Sequence, residues 1–147
     1  MPHFLLNTSG QGLVVQAAVM VSSGRRQALT AAGQPTPPPQ RIAALLDTGA
    51  SISAVNPTIL EALGLTATGK AEIHTPSTQG VPILTDTYDV SIGIFAGRDG
   101  DSHFISDTIQ VTACILTNGV QALIGTDILK SCILTLNGAD DCFTLAW

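Results

Sequence analysis

One aspartate in this sequence stands where a carboxylate could do chemistry. The run Ala44-Leu45-Leu46-Asp47-Thr48-Gly49-Ala50-Ser51 carries an apolar stretch into Asp47 and on into a tight Thr-Gly turn. It occurs once, because Asp86-Thr87-Tyr88 and Asp107-Thr108-Ile109 begin alike but lack the glycine. A carboxylate offered at the end of a strand can take or give a proton as a general base or acid. The plainer reading is an aspartate closing an Asx turn. The other titratable residues form no constellation. His3, His74 and His103 are scattered without ligand spacing, which favours surface histidines and no metal. Asp99 and Asp101 suggest a calcium loop, but Gly100 falls between them and Gln110 stands where a closing Glu is needed. Tyr88 reads as a strand residue with a hydrogen-bonded hydroxyl, and Asp127 as a helix-terminal or hydrogen-bonding structural acid. Cys114, Cys132 and Cys142 are odd in number and show no C-x-x-C spacing, so they read as buried thiols outside any disulfide framework or zinc site.

The elements that must position Asp47 are mostly strands. Residues 12–21 are rich in β-branched side chains and read as a strand. Residues 22–40 hold Ser-Ser-Gly-Arg-Arg and then Gln34-Pro35-Thr36-Pro37-Pro38-Pro39-Gln40, and read as a mobile surface loop with a polyproline segment. Residues 41–47 form the apolar strand into the turn, and 52–55 alternate as a short strand would. A short helix follows with both ends marked: Asn56 is a good N-cap, Pro57 sits at N1 and Gly64 at C′. Strands resume at 71–75 and, beyond a Gly/Pro-containing tip, at 81–95, making a projecting hairpin. A second turn at 97–102 leads into a strand over 103–115. Residues 121–130 pass from a buried strand into a helical turn, and 132–136 with 142–147 close a last hairpin. A faint echo links residues 44–49 with 122–127.

Asp-Thr-Gly alone is a short match, and the surrounding order gives it weight. Apolar strand, Asp-Thr-Gly-Ala-Ser, short strand, capped helix, glycine-tipped hairpin and then Leu123-Ile124-Gly125-Thr126-Asp127-Ile128-Leu129 together resemble the retropepsins, the retroviral-type aspartic proteases, in their stand-alone cellular or bacterial branch. The resemblance spans residues 13–147 and implies an all-β fold: a closed barrel of short strands with one or two short helices, one half of a two-fold symmetric aspartic protease. It implies that Asp47 is catalytic as half of a dyad, with two carboxylates sharing one proton because like charges about 3 Å apart cannot both ionise. With one such motif per chain, and a length about half that of a two-lobed enzyme, the active species is expected to be a homodimer.

On the same resemblance Thr48 and Gly49 support the dyad, Thr48 by reaching across the two-fold axis and Gly49 by letting backbone N–H groups approach the carboxylates. Ala50, Ser51 and the hairpin residues Thr78, Gln79 and Gly80 are implied to bind substrate, the hairpin around 75–81 acting as a flap. Ile124, Gly125, Thr126 and Asp127 form the supporting motif. Two positions depart from the retroviral pattern, Ser51 where an aspartate is common and Thr126 where its arginine partner would stand. Both halves of that ion pair are missing together, so a dimer would rely on apolar contacts, with the terminal strand 142–147 as the expected surface.

Composition excludes several partners. The chain has 147 residues, with 11 acids against 6 bases and a net charge of −5, and therefore no basic footprint for nucleic acid or an anionic membrane. Only 12% of residues are charged while 45% are hydrophobic, which suits a self-associating surface. No stretch approaches the ~20 apolar residues of a membrane span, and the first residues have no basic or apolar targeting pattern, so the chain reads as soluble and cytoplasmic. The whole of 1–147 reads as one retropepsin-like domain. The expected activity is endoproteolysis of an extended polypeptide without a cofactor. The alternatives are a non-catalytic dimerisation or peptide-binding module of the same fold, and a protease whose only important substrate is its own polyprotein or its own 22–40 loop.

Overall fold

The computed structural model describes residues 1–74, 79–95 and 103–147. The expected turn at 97–102, with Asp99 and Asp101, and Thr78 with most of the expected flap tip lie outside the described residues.

The strands close on themselves. Strand β2 (Val14–Val21) pairs antiparallel with β3 (Gln40–Leu46) on one side and with β6 (Ile83–Phe95) on the other. From β3 the ring continues through β8 (Ala122–Ile124), β4 (Ala54–Val55) and β7 (His103–Ala113) back to β6. Six strands thus make a barrel with no free edge inside the ring. Strand β6 is long enough to do two jobs. Its first half pairs with β5 (Gly69–Ile73) as the projecting hairpin, and its second half, beyond an irregularity between Val90 and Ile92, pairs with β2 in the barrel wall.

Alternation decides which side chains fill the barrel. Ile42, Ala44 and Leu46 of β3 and Val90, Ile92 and Ile94 of β6 are buried at every second position, with Val15, Val19 and Val21 of β2 beside them. A second sheet, β1 (His3–Asn7), β10 (Cys142–Ala146) and β9 (Ile133–Asn137), packs Phe4, Phe143 and Leu145 against the same core. Phe4 and Trp147 lie with ring centroids 5.2 Å apart.

The helix after the turn is capped as its sequence requires. In α2 (Pro57–Ala62) the Asn56 side chain accepts from the Thr58 N–H at 3.2 Å, and Gly64 leaves in the left-handed region with φ +62°. Two elements differ from expectation. Residues 22–40 are not all loop, because Ser23–Ala31 forms helix α1, with the Ser22 hydroxyl accepting from the Arg25 N–H at 3.4 Å. This helix buries none of its residues, so no apolar stripe marked it. Its signal was the serine cap before a run of good helix formers, Arg25 to Ala28. With α3 (Thr126–Leu129) the described residues contain three short helices rather than one or two. Strand β1 was not anticipated either. No described helix is long and apolar enough to cross a membrane.

Candidate active site

Strand β3 hands Asp47 to the turn with the ladder still intact. The Leu46 N–H donates to the Leu13 carbonyl and the Asp47 N–H to the Ile124 carbonyl, both at 2.9 Å. The backbone then folds tightly, with the Ala50 N–H donating to the Asp47 carbonyl at 3.2 Å. One carboxylate oxygen, Oδ1, accepts the Gly49 N–H at 2.9 Å. The other receives no hydrogen bond from the described residues. A Cβ on Gly49 would sit 3.2 Å from that same Oδ1, so glycine keeps the N–H and the carboxylate in register. Asp47 is half-buried, while Thr48 and Gly49 are exposed at the tip.

The turn is clamped from below by residues 125–127. Thr126 donates twice to the Ala50 carbonyl, from its N–H at 2.8 Å and its hydroxyl at 3.2 Å. The Asp127 carboxylate accepts the Ser53 hydroxyl at 2.7 Å, the Ser53 N–H at 2.9 Å and the Ile128 N–H at 2.9 Å. Ser53, fully buried, accepts in turn from the Gly125 N–H at 2.9 Å. Gly125 is required by proximity rather than by backbone angle: its φ is −86°, yet a Cβ there would lie 2.8 Å from the Ala50 carbonyl oxygen. Thr126 and Asp127 are thus hydrogen-bonded to Ala50 and Ser53 at the end of the turn.

Two concavities flank this support. One of about 210 Å³ runs from Ala50, Ser51 and Ile52 to Ile73 and His74 at the end of β5, with Cys114 and Leu123 on its wall. The other, of about 520 Å³, lies among Gln11, Leu45, Asn118, Val120 and Leu123. Leu123 faces both, and it is the parallel-register neighbour of Leu45. Asp47 itself lines neither concavity, although Gly49 and Ala50 beside it line the smaller one. A single carboxylate on a braced turn can act as an acid or a base but cannot by itself supply a second proton site.

Neither a protein-family model nor a curated protein matches the sequence. The structure is similar to the crystal structure of a retropepsin-like aspartic protease from Rickettsia conorii, with a TM-score of 0.51 and 13% identity over 99% of this chain and 91% of that one. The fold is retropepsin-like.

Within that fold the expected site residues divide. Asp47, Thr48, Gly49, Ala50 and Ser51 stand together on the turn, with Ile124, Gly125, Thr126 and Asp127 beneath it. Gln79 and Gly80 carry positive φ, +49° and +83°, and are exposed where the chain heads into β6; neither lines the described clefts. Lys70 and Asp86 tie β5 to β6 at 2.9 Å, and Asp86, through the hydrogen bond and its charge, holds the Lys70 ammonium above its usual range.

The three cysteines are free and half-buried, and burial pushes the Cys132 thiol up. Among the described residues no group of three His, Cys, Asp or Glu is placed to hold a metal. Sequence reasoning missed Ser53 and the cleft walls Gln11, Leu45, Asn118 and Leu123. Leu45 and Leu123 had a usable signal, since each is the outward neighbour of a buried strand residue, Leu46 or Ile124.

Proposed function

We infer that this chain is an aspartic endopeptidase, active as a homodimer, that hydrolyses peptide bonds of an extended polypeptide. The observation that carries the reading is the Asp47 carboxylate, fixed by the Gly49 N–H on a braced Asp-Thr-Gly turn beside the cleft of a retropepsin-like fold. One such turn per chain supplies half of the chemistry, and a second copy supplies the rest.

In the pair, one Asp47 is ionised and its counterpart carries the shared proton. The ionised carboxylate takes a proton from a water held between them as the water oxygen attacks the scissile carbonyl carbon. The protonated carboxyl donates to the carbonyl oxygen, which gathers the developing charge. Collapse of the tetrahedral carbon breaks the C–N bond as the leaving nitrogen takes the proton the first carboxylate drew from the water. The oxygen meanwhile returns its proton to the second carboxylate, so the carboxylic product forms and the pair again shares one proton. Thr48 and Gly49 hold the two turns in mutual register, and Ala50 and Ser51 offer backbone to the substrate as an added strand would be met. Thr126, in place of an arginine, turns both its donors on Ala50 within its own chain, which supports the turn without an ion pair at Ser51.

The terminal strand 142–147, expected from sequence as the pairing surface, has no free hydrogen-bonding edge to offer a second copy. Strand β10 is flanked on both sides by β1 and β9 of its own chain, so its hydrogen-bonding edges are used. The outer edges of that sheet belong to β1 and β9, which also expose Leu5, Ile133 and Leu136, and these are the elements through which a second copy would pair.

The deciding experiment incubates the wild-type chain and Asp47→Asn with a mixed peptide library at acidic pH and reads products by mass spectrometry. Cleavage by the wild type alone is the expected result. Binding without cleavage by both would make the chain a peptide-binding module.

A further inference from the structure

The segment between α1 and β3 takes no part in the site described above. Residues 34–39 lie outside every helix and strand. Among them are Pro35, Pro37, Pro38 and Pro39. Each proline fixes its own φ near about −65° and bars the residue before it from the α region. Gln34, Thr36, Pro37 and Pro38 are thereby confined to extended backbone by covalent sterics alone. The outcome is a polyproline II ridge with three residues per turn. Burial follows that period, with Pro37 and Gln40 half-buried against the body and Pro35, Thr36, Pro38 and Pro39 exposed.

Both ends of the ridge are fastened. Gly33, at φ +66°, turns the chain out of α1 and donates its N–H to the Thr30 carbonyl at 3.1 Å, and the Gln34 N–H reaches the Leu29 carbonyl at 2.9 Å. At the far end Gln40 enters β3 opposite Val19, and its Nε2 donates to the Pro38 carbonyl at 3.0 Å. An exposed segment held at both ends loses little conformational entropy on binding.

Self-cleavage, an alternative the sequence left open for this segment, fits it poorly. A substrate read as an added strand needs its main-chain N–H groups, and proline has none. Bracing accounts for Pro37 but not for the outward prolines. We propose that residues 35–39 are the ligand of a partner protein whose groove is lined by parallel aromatic rings, with Pro35 and Pro38 seated in successive slots. One turn of polyproline II separates those two rings by about 9 Å. Strand β3 puts the ridge roughly 20 Å of strand away from the Asp47 turn, so an occupied ridge leaves the cleft open and raises the local concentration of whatever the partner carries.

The test is a fluorescence titration of the full chain with a panel of isolated SH3-type and WW-type domains, reading the indole emission of their grooves. At least one domain is expected to bind saturably, and Pro35→Ala/Pro38→Ala to weaken it at least tenfold with an unchanged melting temperature. The proposal is overturned if no domain distinguishes the two chains, or if the double variant melts several degrees lower without a change in binding, which would make the ridge a brace. A cut within residues 34–40 in the wild type but not in Asp47→Asn would likewise overturn it. Because the readout is binding, the result stands whether or not the chain hydrolyses peptides.

Discussion

The Ser53 hydroxyl lies 2.7 Å from the Asp127 carboxylate, across 74 residues of sequence. Through it the end of the Asp47 turn is fastened to the start of α3, since Ser53 also accepts from the Gly125 N–H. Ser53→Ala would strand that N–H in a buried site and remove one donor from a charged acceptor. A loss of about 1–3 kcal/mol is expected on the usual scale for an unsatisfied buried partner, measured as a lower urea midpoint with an unchanged slope. If Asp127 positions the turn, Asp127→Asn should lower kcat more than it raises KM, because it loosens the Asp47 carboxylate rather than the walls of the two concavities.

Gly125 and Gly80 should respond to alanine for different reasons. At Gly125 the new Cβ meets the Ala50 carbonyl oxygen at 2.8 Å and the Ile52 carbonyl carbon at 3.1 Å. Both are backbone atoms with nowhere to yield, so Gly125→Ala should cost about 1–3 kcal/mol through overpacking and displace the turn. At Gly80 nothing lies within 4 Å of the new atom and only φ +83° resists, so Gly80→Ala should cost about 1 kcal/mol. Equal costs from paired denaturation curves would show that the clamp tolerates a shift of its backbone.

Local signals were legible in the sequence, and long-range ones were not. Asn56, Pro57 and Gly64 marked α2 because capping is settled by neighbours a few residues away. The echo between residues 44–49 and 122–127 has a physical meaning: Ala44, Leu45 and Leu46 lie in parallel register with Ala122, Leu123 and Ile124. The partners of Ser53 could not be read because they follow the neighbouring strand β8, 72 and 74 residues away in sequence. A serine between Ile52 and Ala54 on the buried side of a strand still required some partner. Helix α1 buries no residue and runs towards a proline tract, and strand β1 buries only Phe4, so neither carries a periodic apolar signal.

Asp47→Asn should abolish cleavage and leave the fold intact, since the side chain is half-buried and its Oδ1 contact to the Gly49 N–H survives in the amide. Wild-type activity should be bell-shaped with an acidic maximum, because a coupled pair works only while it holds one proton. A profile flat from acid to alkali, or turnover retained in Asp47→Asn, would remove the reaction from this turn.

Alkaline stability should carry the mark of Cys132, whose thiol is pushed above its ordinary range by burial. With the folded pKa raised, the folded state keeps its proton where the unfolded chain has lost it. The contribution is therefore whole below the ordinary thiol pKa and is lost as pH rises towards the folded value. Cys132→Ala should flatten that decline in melting temperature. The Lys70 ammonium, also held high but at the surface, should leave its variant's profile close to wild type.

Assembly is where a two-chain active site is most exposed to test. If each chain brings only Asp47, specific activity must fall on dilution through the dimer dissociation constant. Asp47→Asn chains should also poison the wild type: at fourfold excess, random pairing leaves roughly one wild-type chain in five with a wild-type partner, and activity should drop in that proportion. The two arms are independent, since the first varies concentration and the second composition. With Ser51 and Thr126 in place of an ion pair, and with Leu5, Ile133 and Leu136 exposed along β1 and β9, pairing should depend weakly on salt, because apolar contact is not screened. Charges introduced at Leu5 and Ile133 should then lower activity at low concentration and restore it at high concentration. Activity proportional to chain concentration under conditions where sedimentation finds only monomer would contradict a site built from two copies.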